Sequence, residues 1–70
     1  MTTHQKYSRV RLITSKYQSE GVGLGMFGYI IESYGDGKFE VEFSDANGNT
    51  IAQIVAEGKD LAAAPENKPN

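Results

Sequence analysis

Residues Lys38 to Ser44 read Lys-Phe-Glu-Val-Glu-Phe-Ser, and this unbroken alternation constrains the fold more than any other stretch of the chain. Successive side chains of a strand point to opposite faces, so Phe39, Val41 and Phe43 share one face and Glu40 and Glu42 the other. Turn signals bracket the run. Gly35-Asp36-Gly37 precedes it, and a D-G pair supplies the positive φ of a tight hairpin. Asp45-Ala46-Asn47-Gly48 follows, with Asp suited to open a type I turn and Gly to close it. A strand with one aromatic and aliphatic face between two hairpin turns is the expected core strand of an antiparallel sheet.

The remaining elements arrange themselves around it. Tyr7 to Ile13 alternates, with Val10 and Leu12 against Arg9 and Arg11, and reads as a half-buried strand. A long loop, Thr14 to Gly25, follows and carries Tyr17, Val22 and Leu24. Met26 to Tyr34 is rich in β-favouring residues. Its two alternating sets, Phe27-Tyr29-Ile31 and Gly28-Ile30-Glu32, cannot both face the core; Ile30 is expected inward, with a bend near Gly28. Thr50 to Ala56 is ambiguous, because Ile51, Ile54 and Val55 have helical spacing, yet Gly58 ends the segment after two turns and a strand is preferred. Glu57 to Asp60 suits a single 3-10 turn and Leu61 to Ala64 a closing strand. The expected fold is all-β: a small five-stranded SH3-like barrel spanning 7–64, with a long first loop and a 3-10 turn before the last strand. Closure of the barrel would remove exposed edges. Residues 1–6 are expected to be a flexible N-terminus and 65–70 a disordered tail.

Size and composition narrow the chemistry. Seventy residues form at most one domain, and a chain of that size buries only about 60% of its surface, leaving no volume for a deep cofactor pocket. The absence of cysteine removes disulfides, thiolate metal sites and a cysteine nucleophile, and fits a reducing, cytoplasmic setting. Residues 1–8 lack the apolar run of a signal peptide. Nowhere does the chain hold the roughly 18 consecutive apolar residues of a membrane span. A net charge of −2 disfavours nucleic-acid binding, although Lys6, Arg9, Arg11 and Lys16 cluster ahead of the first acid, Glu20.

Several tempting motifs fail on context. Gly23-Leu24-Gly25-Met26-Phe27-Gly28 matches G-x-G-x-x-G, but it runs into a strand where a dinucleotide fold needs a helix. His4 stands alone near the terminus and is expected to be solvated. Glu40 and Glu42 point the same way from one strand face, without the burial that would split their pKa values. The serines have no histidine to activate them. No catalytic residue, cofactor or metal site is therefore assigned, and an enzyme is not expected. The four tyrosines are richer ground: two or three of them are expected to cap the ends of a small barrel, and Tyr17 on the long loop is the candidate for an exposed anchor to a partner.

Taken together, Arg9-Val10-Arg11-Leu12, Gly25 and Gly28 before Ile30, Tyr34-Gly35-Asp36-Gly37, Phe39-Glu40-Val41-Glu42-Phe43, Asp45 with Gly48, and Asp60-Leu61 resemble an uncharacterised family of small bacterial SH3-like barrel proteins, a domain of unknown function. The resemblance implies a barrel and supports the strand reading of Thr50 to Ala56; it brings no catalytic residues. The functional expectation is a non-catalytic module that binds a protein or peptide, itself included, through Tyr17, Tyr34, Asp36 and Arg11. In this reading the long loop, the Asp36 turn and the 3-10 turn meet at one end. The alternative is a nucleic-acid or ribosome-associated module of KOW or Tudor type, using the four early bases.

Overall fold

The computed structural model describes residues 4–65. Five strands, β1 (Arg9–Leu12), β2 (Phe27–Ser33), β3 (Lys38–Ser44), β4 (Thr50–Glu57) and β5 (Leu61–Ala63), form one antiparallel sheet in the order β4-β3-β2-β1-β5. The long first loop holds a 3-10 turn at Gln18–Glu20, and a second, Gly58–Asp60, stands before β5. No helix among the described residues is long and apolar enough to cross a membrane.

Phe39, Val41 and Phe43 all turn into the core, with Val41 and Phe43 at 0% exposure. Ile30 and Ile54 lie directly across from Val41 on either side, so three β-branched or bulky side chains meet in one row. Both hairpins form as their turn residues require. Gly35 and Gly37 take φ of 81° and 85°. The Asp45 carboxylate accepts the N–H groups of Asn47 and Asn49 at 2.9 and 3.0 Å. The helical spacing of Ile51, Ile54 and Val55 comes apart in β4: Ile54 is buried, whereas Ile51 and Val55 stand outward.

Ile30 does face inward, but the irregularity in β2 lies elsewhere than expected. The register slips between Ile30 and Glu32, leaving Ile31 as the extra residue of a bulge. Gly28 has a different task. A Cβ built there would lie 2.7 Å from the Glu42 carbonyl and 3.0 Å from both Phe43 and Val41 side chains, so only glycine lets the strands come together.

The sheet is open rather than closed. β5 pairs with β1 and β4 with β3, and β4 and β5 are not neighbours. The 3-10 turn carries the chain from one to the other without the reversal that a hairpin needs, and β5 has only three residues to offer. The order remains consistent with an SH3-like barrel, but both edges persist.

His4 departs from its expected solvated state. Ser8 donates its N–H to Gln5 at 3.1 Å and Tyr7 adopts φ of 68°, folding the segment back over the sheet. The His4 ring then sits edge-on to Phe39, centroids 5.3 Å apart, with Nε2 3.1 Å from the Gly58 carbonyl. Residues 1–3 of the expected flexible terminus and 66–70 of the expected tail lie outside the described residues.

The glycine contrast is testable. Gly28→Ala should cost about 1–3 kcal/mol through overpacking. Gly23, with nothing within 4 Å of a built Cβ, should accept alanine within about 0.5 kcal/mol. Urea melts of the two variants measure both values.

Candidate functional site

The long loop is tied down by its own side chains. Tyr17 and Val22 enter the core at 7% and 1% exposure. The Tyr17 hydroxyl donates to Asp60 Oδ2 at 2.8 Å and accepts the Glu57 backbone N–H at 3.1 Å. Lys16 Nζ lies 2.8 Å from Glu57 Oε2 and 2.9 Å from Asp60 Oδ2. Loop, β4 end and 3-10 turn are thus clasped together around one nearly buried carboxylate.

The electrostatics follow from that geometry. Burial alone would raise the pKa of Asp60, but Lys16 and the Tyr17 hydroxyl outweigh it and hold it below the usual carboxylate range. Lys16 is raised, first by Glu57 and then by Asp60, and Glu57 is lowered chiefly by Lys16. Burial, reinforced by Asp60, pushes Tyr17 up. Lys16, Tyr17, Glu57 and Asp60 thus satisfy one another as one structural clasp. The expectation that Tyr17 is an exposed anchor is therefore corrected. Its ring completes a core that is too small to spare it, and its hydroxyl satisfies a strand N–H.

Tyr34 and Asp36 share the β2–β3 turn and are exposed. The Tyr34 hydroxyl donates to Glu40, which also accepts Gln53 Nε2 at 2.8 Å. These bonds lower Glu40 and raise Tyr34. Asp36 Oδ1 accepts the Lys38 N–H at 3.3 Å. Gly58 donates its N–H to the Gly37 carbonyl at 2.8 Å, so the Asp36 turn, the 3-10 turn and the loop do meet at one end. Arg11 does not join them. It is exposed opposite Phe27, at the far end of β2, roughly 20 Å from the hairpin at the usual rise per residue.

Of the four early bases, Arg9 and Arg11 stay together beside Phe27, and the two lysines are engaged elsewhere. Lys16 belongs to the clasp, Lys6 lies 3.8 Å from Glu32, and the Arg9 guanidinium stacks 4.0 Å above the Phe27 ring. Among the described residues no group of three or more His, Cys, Asp or Glu is placed to hold a metal ion.

A second surface escaped the sequence reading. On the outer sheet face Arg9, Phe27, Tyr29 and Ile51, with the Asp45 turn as a wall, line a shallow groove of about 590 Å³. Phe27 and Ile51 are 40% and 46% exposed there. The signal was present. Once Ile30 faces inward, the period of two sends Phe27 and Tyr29 to the other side.

These features define a small all-β domain with one end clasped shut and, on its outer sheet face, an aromatic groove that holds Arg9 and Asp45. The chain belongs to the DUF4926 family, a domain of unknown function, which it matches over residues 7–62. Neither the curated proteins nor the solved structures contain a match.

The clasp generates two expectations. Tyr17→Phe strands the Glu57 N–H and should cost about 1–2 kcal/mol in a denaturant melt. Because the Asp60 and Glu57 pKa values are lowered on folding, their contribution is present above the unfolded values, about 4, and is lost as pH falls through the folded ones. Asp60→Asn should therefore flatten the acid limb of the stability profile, read as melting temperature between pH 6 and pH 2.

Proposed function

We propose that this domain is a non-catalytic protein-binding module that receives a peptide segment in the groove on its outer sheet face. The observation that carries the reading is the Arg9–Phe27 stack beside exposed Ile51. A stacked guanidinium and a half-exposed aromatic ring give a rigid amphipathic contact that costs little conformational entropy on binding. The matching segment carries an apolar side chain for Phe27 and Ile51 and a carboxylate for Arg9. The clasped end supplies the frame, and Tyr34 and Asp36 on the hairpin are available to a larger partner.

The nucleic-acid reading would use Arg9 and Arg11 with Phe27 as a stacking platform. It is weaker, because Lys16 is engaged by two carboxylates and the chain carries a net charge of −2. The fold is read as an SH3-like barrel left open at one seam, and the lack of cysteine fits a cytoplasmic protein.

Peptides selected from a random displayed library should lose at least about tenfold in affinity with Phe27→Ala. The melting temperature should stay within a few degrees, since that ring lies outside the core. Micromolar oligonucleotide binding at 150 mM salt, abolished by Arg9→Ala with Arg11→Ala, would replace this reading with the nucleic-acid one.

A further inference from the structure

We infer that the free edge of β4 pairs antiparallel with the same strand of a second copy, about a two-fold axis through Gln53, forming one sheet across two chains. The inference concerns a different surface from the groove and stands apart from the peptide reading, although Ile51 borders both.

The phase of β4 comes first. In an antiparallel pair, alternate residues turn their N–H and C=O toward the neighbour and the others turn theirs away. The Gly58 N–H reaches the Gly37 carbonyl, and the register continues Phe39 with Ala56, Val41 with Ile54 and Phe43 with Ala52. Ala52, Ile54 and Ala56 therefore bond to β3, while Gln53, Val55 and Glu57 turn outward. The Glu57 N–H confirms this phase, because the Tyr17 hydroxyl reaches it from outside the sheet. The loop covers that end of the edge and leaves Gln53 and Val55 with their backbone groups directed away from β3.

The side chains come second. From Thr50 to Ala56 the edge carries neither charge nor proline, and Ile51 and Val55 are each 46% exposed. Lysine, proline and short length are the usual guards of an edge strand, and this eight-residue strand has none of them. The register steps between Phe43–Ala52 and Ser44–Thr50, which leaves Ile51 as the extra residue of a bulge, still exposed on the outer face, and the edge is regular from Ala52 onward.

Self-complementarity identifies the occupant. A two-fold axis at Gln53 keeps each residue on its own face and places Ile51 opposite Val55 of the second copy, twice. Such directly opposed pairs lie about 5 Å apart at Cβ. Tyr17 and Lys16 already occupy the edge at Glu57, so the pairing ends at Val55 and no acid of one copy faces an acid of the other. Edge pairing alone buries less than the roughly 800 Å² per partner of a standard interface. The dimer is accordingly weak and forms only at high protein concentration.

Sedimentation velocity of the full chain from about 10 μM to 1 mM should show a monomer passing into a dimer. Val55→Lys should remain monomeric at 1 mM with its melting temperature preserved, and Phe27→Ala should dimerise normally, which separates this surface from the groove. Ile51→Lys combined with Val55→Glu should restore a dimer that weakens with salt, because the register opposes each new lysine to a new glutamate. In hydrogen exchange the Gln53 and Val55 amides should be fast when dilute and slow when concentrated. A chain monomeric at 1 mM, a Val55→Lys variant that dimerises like the parent, or edge amides protected at every concentration would each overturn the inference.

Discussion

Val41 lies at 0% exposure with Ile30 across from it on β2 and Ile54 on β4, and the pleat ties every other side chain of three strands to that row. Because the strand period is two, burying these three residues decides which faces of their strands meet water. Phe39 and Phe43 follow Val41 inward; Glu40 and Glu42 go outward. Gly28 follows Ile30, and the space denied to a side chain there lets β2 and β3 close over Phe43. Phe27, Tyr29, Gln53 and Val55 are sent outward by the same rule. The groove and the apolar edge are thus by-products of the core row.

A three-strand row in a seventy-residue chain leaves the core small, and the long loop enlarges it. Tyr17 and Val22 add apolar area, but burying Tyr17 brings a hydroxyl inside. That hydroxyl finds both a donor and an acceptor, the Glu57 N–H and the Asp60 carboxylate. Asp60 in turn needs a cation, and Lys16, the residue next to Tyr17, provides it. An unpaired carboxylate in that place would be strongly destabilising. The clasp is better understood as one satisfied polar network than as a set of separate surface contacts.

The fold was legible wherever local pattern and turn chemistry agreed. Phe39 to Phe43 alternate without exception, the glycines of both hairpins adopt positive φ, and Gly58 to Asp60 form the expected 3-10 turn. Where the outcome depended on long-range contact, the sequence was silent. Tyr17 looks like a loop aromatic until Asp60, forty-three positions later, is seen beside it. His4 looks solvated until Phe39 and Gly58 are brought beneath it. Closure of the barrel requires the two outer strands to meet, a long-range contact with no local signal, and β4 and β5 are not neighbours. The groove was implicit in the two alternating sets of β2, but only the choice of Ile30 as the inward residue reveals it.

The open seam leaves the two edges in different states. β5 is short, as protected edge strands usually are, and Ala64 extends its pairing by donating to the Arg9 carbonyl at 3.0 Å. β4 is the longest strand of the sheet, and only its C-terminal end is covered, by the Tyr17 hydroxyl. The loop that completes the core therefore also determines where the exposed edge stops. Uncharged, outward β-branched residues occupy just the segment that the loop leaves uncovered, and they repeat symmetrically about Gln53. Core, clasp and edge are three consequences of one packing solution. The loop folds into the interior of a sheet that does not close, and the outer edge of β4 stays unpaired from Gln53 to Val55.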